Sequence, residues 1–87
     1  MERNLTNLKG DVATVCTEMK VYAVWPAWAS GDKEAKFELN ARLSVSNHVL
    51  ASRAFVVEKM LRSMGWLAVL TPGIVPTMTV VLGKPSS

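Results

Sequence analysis

The chain has one cysteine, Cys16, and one histidine, His48, among its 87 residues. A lone cysteine excludes an intrachain disulfide and fits a reducing cytosol. A structural zinc site needs several His, Cys, Asp or Glu ligands converging on one point, and this inventory is too thin for one. A Ser-His-Asp or Cys-His arrangement would have to use His48. The spacing puts that residue at a helix start, where a solvated imidazole is the plain expectation. Glycine is sparse, and Gly31, Gly65, Gly73 and Gly83 each stand alone at a boundary, so no phosphate-binding glycine loop is present. The seven carboxylates are scattered, and only Glu34 and Glu38 come close to forming a pair. No enzymatic activity is expected, and no cofactor, metal or small-molecule ligand.

Long apolar runs are missing too. Stretches such as Trp66 to Leu70 fall far short of the roughly 20 residues of a membrane helix. Met1 to Asn7 carry charges with no apolar stretch behind them, so no signal peptide is expected. The expected location is cytoplasmic, with no membrane partner. Against these absences stands an apolar content of 49% with 20% charged residues, a globular composition. A second domain would leave neither half enough surface to bury.

Hydropathy alternates from Val15 to Trp25, with Val15, Met19, Val21, Ala23 and Trp25 on one parity. That predicts a strand stopped by Pro26. Ala35, Phe37, Leu39, Ala41, Leu43 and Val45 alternate more cleanly with Lys36, Glu38, Asn40, Arg42 and Ser44, which predicts a second strand. A hairpin centred near Ser30 would set Glu18 opposite Arg42 and Tyr22 opposite Glu38. Ser46 or Asn47 then caps a helix over 48–64, which Gly65 stops. Trp66 to Leu70 is apolar on both parities and predicts a central or covered strand. Thr71-Pro72-Gly73 has the residue order of a type II turn. Met78, Val80 and Leu82 mark a last strand, placed at an edge by Pro76.

The expected fold class is therefore α+β: a single two-layer domain over residues 1–87 in the order β-β-α-β-β. One helix packs on a mostly antiparallel four-stranded sheet. Residues 1–11, ending at the Gly10-Asp11 turn signal, form an N-terminal arm or an extra short element, and 83–87 form a tail.

Net charge is +3, and the excess lies between residues 36 and 62, where Lys36, Arg42, Arg53, Lys59 and Arg62 face only Glu38 and Glu58. Arg53 falls inside the helix's apolar arc, so it must snorkel to an edge or pair with a carboxylate such as Glu38 or Glu18. On the outer arc, Phe55 lies between Arg62 and His48, with Lys59 beside them. An aromatic ring among cations can anchor a protein partner or stack on a nucleic-acid base. It can also simply pack beneath the N-terminal arm. Trp28, in the connector, is demanded by no periodicity. It either caps the open end of the core or stands out as a binding anchor.

Three readings follow. The leading one is a non-catalytic protein-interaction module, an inhibitor or accessory protein, binding a larger partner through Trp28, His48, Phe55, Lys59 and Arg62. The rival is a nucleic-acid-binding protein using Lys20, Lys36, Arg42, Lys59 and Arg62. The third is a structural or assembly subunit, resting on the doubly apolar last strands, for which a homodimer is the natural form.

Overall fold

The computed structural model describes residues 2–83 and shows an α+β domain of two helices and a four-stranded antiparallel sheet. The elements run α1 (Leu5–Met19), β1 (Val21–Val24), β2 (Glu34–Ala41), α2 (Asn47–Ser63), β3 (Leu67–Thr71) and β4 (Thr77–Val81). Within the β1–β2 connector, Ala27–Ala29 make one 3-10 turn. The one-helix order β-β-α-β-β is thus corrected by α1, which occupies most of the expected arm and the front of the expected first strand.

Helix α1 forms because Leu5, Leu8, Val12, Val15, Cys16 and Met19 recur at helical spacing and share one face. Asn4 caps it, its side-chain oxygen accepting from the Asn7 amide at 2.8 Å. Lys20 ends it in the left-handed region (φ 59°), with its amide donating back to the Cys16 and Thr17 carbonyls. Leu8, Val12 and Val15 are fully buried. At about 1.5–3 kcal/mol for each such burial, they contribute roughly 5–9 kcal/mol, comparable with the whole net stability of a small domain. α1 is therefore part of the core, where a dispensable arm was one expectation.

The sheet order is β1-β2-β4-β3. β1 and β2 pair with Val21 opposite Ala41 and Tyr22 opposite Asn40. This register is two residues from the expected one: Val24, and not Tyr22, faces Glu38, and Glu18 stays on α1. Side-chain parity survives the shift, so Val21, Ala35, Phe37 and Leu39 are buried as expected. The doubly apolar β3, expected to be central or covered, is an edge strand covered by α2 on one face. β4, expected at an edge, is central between β2 and β3. Pro76 precedes β4: it has no amide to donate to the Leu39 carbonyl, but its own carbonyl still accepts from the Leu39 amide at 2.9 Å, so the pairing with β2 survives at the strand's first residue. Gly73 has no positive φ, so the hairpin turn after Thr71 is not type II. Residues 84–87 of the expected tail lie outside the described residues.

Both helices lie on one face of the sheet, α1 over β1 and α2 over β3, and they pack against each other. Trp66, Phe37 and Met78 are the bulky centre of that core. Trp66 also ties the layers together, its Nε1 donating to the Asp11 carboxylate at 2.8 Å. α2 starts where Ser46 accepts from the Val49 amide and ends as expected at Gly65, whose φ of 96° only glycine adopts freely. Its buried arc is Ala54, Val57 and Leu61, narrower than the sequence arc, and Val49, Val56 and Met64 stay exposed. Arg53 is half-buried on that helix, and no ion pair holds it among the described residues.

Candidate functional site

The outer face of α2 is less available than its sequence suggests. Phe55 is 51% exposed, but the Lys59 ammonium sits over its ring, 4.9 Å from the centroid. Arg62 turns away from that pair and donates through Nη1 to the Ala68 carbonyl at 3.2 Å. One turn earlier, Glu58 accepts from the Leu70 amide at 2.7 Å. Strand β3 is an edge strand, and the ladder turns Ala68 and Leu70 outward, so these two side chains occupy bonding groups an added strand would use. Arg62 is thus a structural residue of the β3 edge. His48, at the start of α2, is exposed and lies away from Phe55. With Ala51 and Ile74 it lines a shallow groove of ≈ 280 Å³ against the β3–β4 loop.

The basic residues do not gather into one surface. Lys36 lies on the open sheet face, 3.8 Å from Glu34, while Lys59 and Arg62 belong to the helix layer on the other side. Lys20 ends α1 and Arg42 follows β2, so both lie at the β1 margin. A nucleic-acid backbone following all five cations would have to wrap the molecule.

Trp28 is different. It is 83% exposed on the 3-10 turn, the most exposed large apolar side chain among the described residues. The loop beneath it is held firmly. Ala29 is buried, Ser30 bridges to Ala35, and the Gly31 amide donates to the Glu34 carbonyl at 3.0 Å. The indole therefore stands out from an anchored base, beside an open cavity of ≈ 590 Å³ lined by Ser30, Asp32, Lys33, Glu34 and Lys36. It does not cap the core. That role falls to Trp25, half-buried with its ring 4.5 Å from Phe37.

Two features escaped the sequence. Ile74, at the tip of the β3–β4 loop, is 78% exposed, and no periodicity marks it. The other is a cleft of ≈ 220 Å³ along the outer margin of β1, roofed by α1 and lined by Lys9, Ala13, Cys16, Tyr22, Trp25 and Arg42. It could be found only once α1 was known to be a helix. The Cys16 thiol in its wall is buried, and burial pushes its pKa up to about 11 against the opposing pull of Arg42. At neutral pH it is a protonated, inert side chain. No group of three His, Cys, Asp or Glu that could hold a metal ion occurs among the described residues, nor a helix long and apolar enough to cross a membrane. Comparison with protein-family models, curated proteins and solved structures finds no match.

Proposed function

We propose that this chain is a small cytoplasmic interaction module, without catalytic chemistry of its own, that docks on a larger protein and acts as an inhibitor or accessory subunit. The observation that carries this reading is Trp28, held 83% exposed on an anchored loop. Burying most of an indole's roughly 200 Å² on a partner is worth on the order of 4 kcal/mol before the costs of association. Nothing in the domain's own packing requires it to be there, and tryptophan is enriched among the residues that dominate binding energy. Arg62 drops out of the expected contact set because the β3 edge uses it, and Phe55 and Lys59 form a secondary patch.

The test places a photo-crosslinking amino acid at position 28, at position 55 and at control position 18, in cells that express the chain. Crosslinks specific to position 28, lost when untagged wild-type chain competes, support the reading. Equal labelling at all three positions overturns it. A second reading, self-assembly, is favoured by Leu67, Val69 and Val81, which lie side by side on the open sheet face with Val69 56% exposed. Sedimentation of Val69→Glu beside wild type tests it: a dimer in wild type that the substitution dissolves supports assembly.

A further inference from the structure

The cavities of this molecule differ in the charge that lines them. Beneath Trp28, Asp32 and Glu34 stand beside Lys33 and Lys36, so neither sign prevails. The cleft of ≈ 220 Å³ between α1 and the outer margin of β1 has Lys9 and Arg42 in its wall and no carboxylate. The one ion pair among the described residues joins Lys36 to Glu34, so neither cation of the cleft is neutralised there.

Lys9 and Arg42 occupy opposite ends. The left-handed turn at Lys20 folds α1 back along β1, so the first half of the helix reaches the far end of the strand. There the Lys9 ammonium lies 5.3 Å from the Trp25 ring centroid. At the near end the Arg42 amide donates to the Lys20 carbonyl, and the Arg42 guanidinium is close enough to Cys16 to oppose the rise in its thiol pKa. From Lys9 to Thr17, both in the wall, the helix rises about 12 Å at 1.5 Å per residue.

Between those ends the wall carries no charge. Ala13 and the buried Cys16 come from α1, and Ala23 and Trp25 from the strand side. The Thr17 hydroxyl donates to the Ala13 carbonyl at 2.8 Å, so its proton is taken. The Cys16 thiol stays protonated at neutral pH and adds no negative charge. The carboxylates of α1 point elsewhere. At about 100° per residue, Glu18 and Asp11 lie roughly 140–160° around the helix from Ala13, and Asp11 is committed to Trp66. The volume sets the size of an occupant: at about 30 Å³ for each water-sized group, the cleft holds roughly seven. Drawn out along the helix, that is room for a single chain of methylenes.

We infer that the cleft between α1 and β1 binds a small unbranched dianion, an apolar chain with a carboxylate at each end, with Lys9 holding one carboxylate and Arg42 the other. Arg42 brings the planar fork that takes a carboxylate through two parallel bonds, and Lys9 brings a mobile point charge. The uncharged wall between them receives the chain, as apolar linings do in small-molecule sites with a few placed polar groups. No small-molecule ligand is expected from the sequence, because the cleft arises only when α1 folds back over β1 as a helix. The site is separate from Trp28, so protein docking and dianion binding can fail independently.

The test titrates the full chain, ¹⁵N-labelled, with decanedioate, beside butanedioate, decanoate and the terminal diamine of decane. The site predicts saturable shifts centred on the Ala13 and Thr17 amides and the Trp25 indole N–H. The other three compounds should bind at least about tenfold more weakly, the effect of losing one charge-assisted contact. Lys9→Glu combined with Arg42→Glu should exchange the preference, rejecting decanedioate and admitting the diamine. Both replaced side chains are exposed, and circular dichroism checks that the double variant folds. Ala13→Phe, which puts a ring in the cleft and keeps both cations, should abolish the decanedioate shifts, whereas Trp28→Ala should change none of them. No saturation at millimolar decanedioate, equal binding of the diamine by wild type, or shifts centred on another surface would each overturn the assignment. A folded double variant that still prefers decanedioate would overturn it as well. If the double variant does not fold, the wild-type series and Ala13→Phe decide the question.

Discussion

Replacing Gly10 by alanine is expected to stabilise this protein, and the size of the effect tests the largest departure of the structure from its sequence pattern. Gly10 lies in the interior of α1 with helical, negative φ, and a Cβ built there meets nothing within 4 Å. Neither strain nor overpacking opposes the change. What remains is the entropy that glycine loses on entering a helix, about 0.5–1 kcal/mol relative to alanine. For a domain of this size that raises the melting temperature by roughly 2–8 °C. Thermal unfolding followed by far-UV circular dichroism reads it directly, with Ala13→Gly, a few residues further along the same helix, as the matched loss. If residues 1–11 were instead an arm closed by a Gly10-Asp11 turn, alanine would be neutral or harmful. A Gly10→Ala variant with unchanged or lowered melting temperature would refute the continuous helix.

Trp66→Phe keeps the buried ring but strands the Asp11 carboxylate, and is expected to cost about 1–3 kcal/mol by urea denaturation. Glu58→Ala leaves the Leu70 amide without its partner, costing about 1–2 kcal/mol, and opens the β3 edge, so faster aggregation by light scattering should accompany the loss. Trp28→Ala should leave stability within about 0.5 kcal/mol in the same assay, because the ring touches little of the fold. The Cys16 pKa is raised by folding, so its contribution to stability is complete below the unfolded value near 9.0 and is lost as pH rises towards about 11. Cys16→Ser, which does not ionise in this range, should flatten that alkaline decline in melts run from pH 8 to 11.

The elements with one dominant period were legible. β2 alternates strictly and is a strand as far as Ala41, though the alternation runs on to Val45 and Leu43 is 77% exposed beyond the strand's end; α2 has a cap, an apolar arc and a glycine stop, and is a helix within a residue of its expected bounds. α1 was obscured because Val15 and Met19 share parity with Val21 and Ala23, so a helix end and the following strand read as one alternating run. The same residues at helical spacing from Leu5 carry the truer signal, and Gly10-Asp11 masked it as a turn. Strand order was not legible, since β3 is apolar on both faces for a reason other than central position. Its inward side meets α2, and its outward residues Leu67 and Val69 lie on the open face. Of the candidate residues, the exposure of Trp28 needed the loop's anchoring bonds to be seen, and the employment of Arg62 needed the β3 edge to be placed.

The strand order has a consequence for how the chain is made. β4 comes last of the four described strands, yet it lies in the middle of the sheet, bonded to β2 on one side and β3 on the other. A growing chain can form α1, the β1–β2 hairpin and α2 as they emerge. Until Val81 is clear of the ribosome, β3 has no partner and β2 shows a bare inner edge. Synthesis adds roughly 5–20 residues per second, so that exposed interval is brief, and its closing fastens both halves of the sheet at once. Chains stopped before Thr77 would keep two unmatched strands and an open core, whereas the same truncation of a meander would cost only an edge.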